Sequence, residues 1–235
     1  MAEILAIHQP NFAPWLGFFH KLSRVDTFIL FDHIQAPQGK SWINRTRVQR
    51  GGNPLWLTVP RGRRFQRPEL ISDLLIATPD TLQRDLMNKI ESYYRKAPHF
   101  SAVKELFQSI LFKTNSLQSI NEQFIFAVAG EIGLDVIFKR SSDLLTDHPY
   151  IRQLSGNELV LELCTLTGTR TYISGTGCLD FIRPNTFQDR GIEFVFQHFV
   201  AQPYRQGHDS EFIPGLSVID CLAFSGWKGV LKNLA

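Results

Sequence analysis

Two polar clusters near the start of the chain each follow a short apolar run. His8 and Gln9 come directly after the apolar run 3–7, and Asp32 closes the apolar run 27–32. Imidazole and carboxylate groups are frequent proton carriers in enzymes. We therefore predict a catalytic pair, in which His8 is the general acid and base or a donor to the transition state, and Asp32 is its partner or a metal ligand.

The segment 33–68 could bind an anionic ligand, because it contains eight basic residues and no acidic residue. Seven of the eight are arginines, whose planar guanidinium group pairs with phosphate or carboxylate through two parallel hydrogen bonds. Without these eight, the chain keeps 17 of its 25 basic residues against 22 acidic residues, so its positive charge is local. The basic residues of the segment are Lys40, Arg45, Arg47, Arg50, Arg61, Arg63, Arg64 and Arg67.

We predict a nucleotide or a sugar as the substrate, bound by amide, aromatic, hydroxyl and guanidinium groups. Asn44, Arg45 and Arg47 are expected to anchor the anion, and Tyr172 and Ser174 to line the opposite wall. Nucleic acid is disfavoured as a partner, because the rest of the chain is acidic and carries no recognised nucleic-acid-binding motif. The predicted substrate- and phosphate-binding residues are Gln9, Gln35, Trp42, Asn44, Arg45, Arg47, Tyr172 and Ser174.

Known catalytic and metal-binding motifs are missing from the sequence. Its seven histidines form no HxxxH or HExxH pair, its three cysteines form no CxxC pair, and it has no P-loop, GxGxxG or GxSxG motif. A divalent metal is therefore not expected, although Asp32, Asp180 and His8 could in principle assemble a site. ATP and a nucleotide-sugar stay open as cofactors. The glycine-rich turn at 175–178 is more often structural than phosphate-binding.

The elements that would position these residues indicate an α/β fold. A strand, a loop, a helix at 15–22 and a second strand within the first 32 residues predict a βαβ unit with parallel strands. Tryptophans and arginines at 41–50, a GGNP turn and the run 55–60 predict a basic hairpin. The alternative for this hairpin is a solvated arm whose tryptophans belong to the core.

The complete prediction is a mostly parallel sheet with flanking helices, a basic hairpin-like excursion and a helical middle segment. We expect a single domain over 1–235, with 80–132 as a possible helical subdomain. Predicted helices are 81–94, 102–112, 119–132, 157–166 and 216–226; further predicted strands are 135–142, 171–175 and 192–199.

Asp220 allows two interpretations. Ser217 could be the N-cap of a helix, with Asp220 at the third helical position in a capping-box-like arrangement. In that case Val218 and Leu222 face the core while Asp220 points elsewhere. The other interpretation places Asp220 in the active site.

The composition is that of a soluble globular protein, with 43% hydrophobic and 20% charged residues in 235. The N-terminus lacks the basic region of a signal peptide, and no run approaches the ~20 apolar residues that span a membrane. Three scattered cysteines suit a reducing compartment. We therefore expect a cytoplasmic protein.

Several motifs together resemble the WbqC-like proteins. They are HQPNFAPWLGFFHKL at 8–22, DTFILFD at 26–32, SWINRTRV at 41–48, WLTVP at 56–60, YYRKAPHF at 93–100, TYISGTG at 171–177, FQHF and PYRQ within 196–206, and FIPGLSVIDCLAFSG at 212–226. The resemblance covers nearly the whole chain but carries over no catalytic residue. It implies a bacterial enzyme of O-antigen or other surface-polysaccharide biosynthesis. Such an enzyme would be a transferase or ligase that attaches an acyl or amino-acyl group to the amine of a nucleotide-linked sugar.

Two alternatives to this enzyme remain open. The F-x-P-x-x-G pattern at 12–17 is similar to a shortened loop of HIGH-type nucleotidylyltransferases, but Leu16 and Phe18 stand where that loop has histidines. This departure argues against adenylyl transfer by the usual histidine pair. The second alternative is a noncatalytic glycan- or nucleotide-binding module, in which Trp42 and Trp56 stack on rings and arginines hold phosphates.

Overall fold

The computed structural model of the chain describes residues 3–62, 69–110, 114–207 and 211–235. The elements are β1 (Ile4–His8), α1 (Leu16–Leu22), β2 (Thr27–Leu30), β3 (Arg45–Arg50), β4 (Asn53–Thr58), α2 (Pro79–Tyr94), α3 (Phe100–Ser109), α4 (Leu117–Glu131), β5 (Ile137–Arg140), α5 (Ser141–Asp147), α6 (Gly156–Leu166), β6 (Thr171–Ser174), α7 (Pro184–Gln188), β7 (Glu193–Phe196) and α8 (Val218–Lys232). Short 3-10 helices lie at Ile71–Asp73, Pro149–Gln153 and Thr176–Cys178. Within the described ranges, no helix is both long and apolar enough to cross a membrane.

The chain divides into two compact units. The first, here called the sheet unit, consists of Met1–Gln9, Lys21–His33 and Asp135–Phe199. The second, here called the hairpin unit, consists of Pro10–His20, Ile34–Leu134 and Val200–Ala235. The predicted helical middle, 80–132, belongs to the hairpin unit together with the basic hairpin and α8.

The sheet unit is built on five parallel strands in the order β5-β2-β1-β6-β7. Its core contains Leu5, Ala6, Phe28 and Ile29, all fully buried. Central strands of a parallel sheet are covered on both faces, which explains why β1 and β2 are continuous apolar runs. The strands end at one edge, so the polar groups that follow β1, β2 and β6 share that edge. The predicted α/β class with a mostly parallel sheet is confirmed.

The hairpin unit contains the antiparallel pair β3 and β4, in which Arg45 lies opposite Thr58 and Arg50 opposite Asn53. Gly51 and Gly52 form the turn with φ values of 55° and 83°. Left-handed backbone at both central positions is typical of tight hairpin turns and favours glycine. The predicted basic hairpin is thus present, although its strands begin at 45 and 53 rather than at 41 and 55.

The structure corrects the predicted ends of two elements and adds a short helix. The strand expected at 135–142 ends at Arg140, because Ser141 and Ser142 begin α5. The helix expected to end at 226 continues as α8 to Lys232 beyond an interruption at Gly226, whose φ is 65°. The short helix α7 was not predicted, although Pro184 at its first position is a helix-start signal.

Two other predictions fall partly on chain outside the described residues. The predicted helix 102–112 corresponds to α3, but residues 111–113 lie outside the description. Arg63, Arg64 and Arg67 of the basic segment also lie outside it.

Candidate active site at the edge of the parallel sheet

His8 ends β1, the central strand of the sheet unit. Its Nδ1 lies 2.8 Å from the carbonyl oxygen of Gln9. Because a carbonyl only accepts, Nδ1 carries the proton and the neutral ring presents Nε2 as an acceptor. Burial, and secondly the charge of Lys21, lower the pKa of His8 to about 3, against a smaller opposing effect of the Gln9 hydrogen bond. His8 is therefore a neutral imidazole at pH 7.

Lys21 is a buried cation that the sequence-based site prediction missed. It lies in the last turn of α1 and is only 3% exposed. Burial lowers the pKa of its ammonium group to about 8, while interaction with Cys178 opposes this shift. The available signal was helical spacing, because Lys21 follows the buried Phe18 by three residues within α1.

The turn after β6 approaches Lys21. A Cβ atom added to Gly175 would lie 3.2 Å from Lys21 Nζ. In the same turn, Ser174 Oγ is 2.7 Å from Cys178 Sγ, and the thiol donates to the Gly175 carbonyl at 2.8 Å. Ser174 is buried and Cys178 is partly exposed. An imidazole, an amine, a hydroxyl and a thiol therefore occur around the ends of β1 and β6.

Tyr172 is a packing residue of the sheet unit. Its ring stacks on Phe187 with centroids 5.4 Å apart and meets Phe194 edge-on at 5.5 Å. Burial, and then the neighbouring Cys164, raise the pKa of the Tyr172 hydroxyl. Tyr172 and Ser174 share one side of β6, since side chains alternate along a strand. The predicted substrate-binding roles of both residues stay predictions.

Asp32 follows β2 and holds the start of α5. Its Oδ1 accepts from the Ser141 hydroxyl and the Ser142 backbone N–H, both at 2.8 Å, and its Oδ2 accepts from the Ser142 hydroxyl at 2.7 Å. A carboxylate at a helix N-terminus is stabilised by the N–H groups and the helix dipole. These contacts give the fully buried Asp32 a structural role. The catalytic role expected for it stays a prediction.

Gln9 and Gln35 lie in different units. Gln9 is half-buried at the end of the first segment of the sheet unit, and its carbonyl accepts the hydrogen bond from His8 Nδ1. Gln35 is exposed in the hairpin unit, where its backbone pairs with that of Leu70. Their predicted contribution to substrate binding stays a prediction.

The hairpin unit carries a second group of predicted binding residues. Trp42 and Trp56 are each 43% exposed, and their rings meet edge-on with centroids 5.0 Å apart. The Arg45 guanidinium lies 3.8 Å above the Trp56 ring, and Arg47 is the register partner of Trp56. We call Trp42, Arg45, Arg47 and Trp56 the hairpin surface. The alternative of tryptophans belonging to the core is wrong, because both remain exposed.

Polar groups beside the hairpin surface are buried without a partner among the described residues. They are Nε of Arg45 and Oδ1 of Asn44. The Asn44 side chain also donates to the Val59 carbonyl at 3.0 Å, which fixes its orientation. By contrast, Arg61 pairs with Glu69 at 3.1 Å and is not available as an unpaired cation.

Asp220 is fully buried in the hairpin unit, so the expectation that it points away from the core was wrong. Ser217 is the N-cap of α8 as predicted, since its hydroxyl accepts from the Ile219 N–H. The capping-box-like arrangement does not form. The Ser217 N–H donates to the Arg47 carbonyl, and Asp220 Oδ2 accepts from Tyr204 and Gln206.

No group of three or more His, Cys, Asp or Glu side chains placed to hold a metal ion occurs within the described part of the chain. Many α/β proteins bind small molecules at the carboxyl edge of a parallel sheet. The histidine, lysine and hydroxyl groups described above lie at this edge.

The chain belongs to the WbqC-like protein family, whose sequence profile matches residues 9–231. The resemblance inferred from the motifs is therefore confirmed. A relative from Mycobacterium tuberculosis (strain ATCC 25618 / H37Rv), named "Uncharacterized protein Rv1507c", is 26% identical over 224 residues. The aligned region covers 93% of this chain and 92% of the relative. No solved structure matches the chain.

Proposed function

We propose that the protein is an enzyme of bacterial surface-polysaccharide biosynthesis, such as O-antigen synthesis, that transfers an acyl or amino-acyl group to the amine of a nucleotide-linked sugar. The observation that carries the proposal is the neutral His8 at the carboxyl end of a central parallel strand, with the buried Lys21 beside the turn after the neighbouring strand. Ligands of open α/β sheets bind at this edge. Membership of the WbqC-like family agrees with this class of substrate.

The proposed chemistry moves one proton from the amine to the leaving group. The sugar amine attacks the acyl carbonyl carbon, a C–N bond forms, and the bond from that carbon to the leaving group breaks. His8 Nε2 accepts the proton that the amine releases and returns it to the leaving group. The Nδ1 bond to Gln9 fixes the ring and its tautomer, so Nε2 is the nitrogen that carries no proton and can accept one.

An activity screen tests the proposal. The protein is incubated with UDP- and dTDP-linked amino sugars together with acyl-coenzyme A, or with an amino acid and ATP, and the products are measured by mass spectrometry. His8→Asn keeps a side-chain N–H for the Gln9 carbonyl but removes Nε2. We expect acylated sugar from the unsubstituted protein and at least a ~100-fold loss in the variant.

Two results would contradict the proposal, one for the enzyme function and one for the role of His8. One is the absence of product from every pair of substrates at millimolar concentration. The other is unchanged turnover in His8→Asn, which would exclude His8 from proton transfer. His198→Asn is the matched control, because His198 is an exposed histidine of the same unit.

The hairpin surface favours a second candidate function, a noncatalytic module that binds glycans or nucleotides. Exposed Trp42 and Trp56 offer two ring faces, and Arg45 places a positive charge over one of them. Sugar rings and bases stack on such faces, and an adjacent guanidinium pairs with phosphate. Tryptophan fluorescence titration with UDP and with oligosaccharides tests it. Binding that is lost in Trp56→Ala, without turnover of any substrate, would favour the module over the enzyme.

A further inference from the structure

Lys21 has an unbalanced positive charge inside the sheet unit. The side chain is only 3% exposed, and among the described residues no carboxylate pairs with its ammonium group, although interaction with Cys178 favours the charged form. A buried, unpaired ammonium group is unfavourable, and it is relieved either by deprotonation or by an anion. The site of this cation is therefore chemically complementary to an anionic ligand.

Gly175 lies close to this cation. Its φ of −79° and ψ of 158° are ordinary for any residue, so the backbone does not require glycine there. A Cβ atom at this position would nevertheless lie 3.2 Å from Lys21 Nζ, which is tighter than ordinary packing. Glycine at this position therefore allows the ammonium group to lie close to the backbone of the turn.

The same turn carries a hydroxyl and a thiol, which contact each other. Ser174 brings a buried hydroxyl, and the Cys178 thiol is turned toward the Gly175 carbonyl. The turn begins at the carboxyl end of β6, which is hydrogen-bonded to β1. Ligands of parallel sheets bind at this edge.

We propose that Lys21 and the turn 174–178 form the binding site for a phosphate group of the substrate. Lysine binds phosphate as a compact point charge, and a glycine allows a ligand to approach the backbone closely. The choice of phosphate rather than carboxylate rests on the proposed function, whose substrate carries a diphosphate. The site itself rests on the placement of Lys21 and Gly175.

Phosphate binding at Lys21 has a consequence for His8. The titratable groups facing the Lys21 ammonium are His8 on β1 and Cys178 after β6. The charge of Lys21 lowers the pKa of His8, and the negative charge of a bound phosphate group opposes that effect. The substrate phosphate therefore increases the basicity of the imidazole that is proposed to accept the amine proton.

Calorimetric titration with inorganic phosphate at about pH 9, in two buffers of different ionisation enthalpy, counts the protons taken up on binding. Phosphate is already a dianion there, whereas Lys21 with a pKa of about 8 is mostly neutral. Binding restores the charged ammonium, so we expect uptake approaching one proton. Lys21→Arg, which stays charged at this pH, should bind phosphate without proton uptake.

Three variants complete the test. Lys21→Met should abolish phosphate binding, Gly175→Ala should weaken it about tenfold or more, and Lys139→Met, which changes an exposed lysine of the same unit, should leave binding and proton uptake unchanged. Equal phosphate binding by Lys21→Met, binding to the unsubstituted protein without proton uptake, or no binding at millimolar phosphate would each overturn the proposed site.

The phosphate site and the enzyme function fail in different ways. Phosphate binding with the expected proton uptake, combined with no acylated product from any substrate pair, supports the site and contradicts the enzyme. Acylated product from a protein that does not bind phosphate at Lys21 contradicts the site and supports the enzyme.

Discussion

The hydroxyl of Tyr204 donates a 2.8 Å hydrogen bond to Oδ2 of Asp220, inside the hairpin unit. Gln206 donates to the same oxygen at 3.1 Å, and its amide also exchanges hydrogen bonds with the backbone of Ile213. Burial raises the pKa of Asp220, and these donors oppose that rise. The carboxylate thus connects the chain around 204–213 to the first turn of α8, which is a structural role.

Asp220→Asn tests this role. Asparagine keeps an acceptor oxygen but removes the negative charge that the Tyr204 and Gln206 donors stabilise, so we expect a loss of about 1–3 kcal/mol in the free energy of unfolding, measured by urea denaturation. Tyr204→Phe should cost about 1 kcal/mol, and the double variant should lose less than the sum of the two. Unchanged stability combined with a collapse of turnover would instead place Asp220 in the active site.

The lowered pKa of His8 predicts how the free energy of unfolding depends on pH. Its pKa is about 3 in the folded protein and 6.5 in an unfolded chain, so below about pH 6.5 the unfolded state binds more protons. The free energy of unfolding should therefore fall as the pH decreases from 6.5 toward 3, by up to ~1.4 kcal/mol per pH unit from this group. Urea denaturation of His8→Asn should give a shallower pH dependence. The exposed-site control His198→Asn should follow the unsubstituted protein. Parallel curves for all three proteins would contradict the lowered pKa of His8.

Substitution of Asp32 distinguishes a structural role of its carboxylate from a catalytic role. Asp32→Asn weakens the bonds to Ser141 and Ser142 that start α5, and we expect a loss of about 1–3 kcal/mol in stability. Ser142→Ala, which removes one of the same bonds, should lose about 1 kcal/mol. Thermal or urea unfolding measures both. If Asp32→Asn keeps full stability but abolishes turnover, the catalytic prediction is correct and the structural role is minor.

Arg45 tests the hairpin surface. Its guanidinium stacks on the exposed Trp56, where removing it costs little folding energy, about 0.5–1 kcal/mol. If the hairpin surface binds the ligand, as in the second candidate function, Arg45→Ala should weaken binding of a nucleotide-sugar, measured by tryptophan fluorescence, while the melting temperature changes by only a few degrees. Arg50→Ala, at the exposed end of the same strand, is the control and should leave binding unchanged. Lost stability with intact binding would show Arg45 to be a structural residue.

The sequence predicted best the features that depend on local pattern. The apolar runs identified β1 and β2, and the glycine pair after Arg50 identified the hairpin turn. His8 could be assigned to a strand end for the same reason. These features need only neighbours along the chain.

The features that the sequence did not predict depend on distant partners. Lys21 is buried beside Gly175, and the helical spacing that places Lys21 on the buried side of α1 does not indicate this contact, because Gly175 is distant in the chain. Asp32 is bound by Ser141, 109 residues away. For Asp220, the local Ser-x-x-Asp spacing suggested a cap, but the contacts with Tyr204 and Gln206 determine where its side chain lies.

The central claim, that the carboxyl edge of the parallel sheet binds the substrate, is tested most directly by hydrogen-exchange mass spectrometry with a saturating UDP-linked amino sugar. We predict slower exchange in peptides covering 4–9 and 171–178 of the unsubstituted protein, and no such protection in Lys21→Met. Protection confined to the hairpin at 45–58, or no protection in any peptide at millimolar ligand, would contradict the claim.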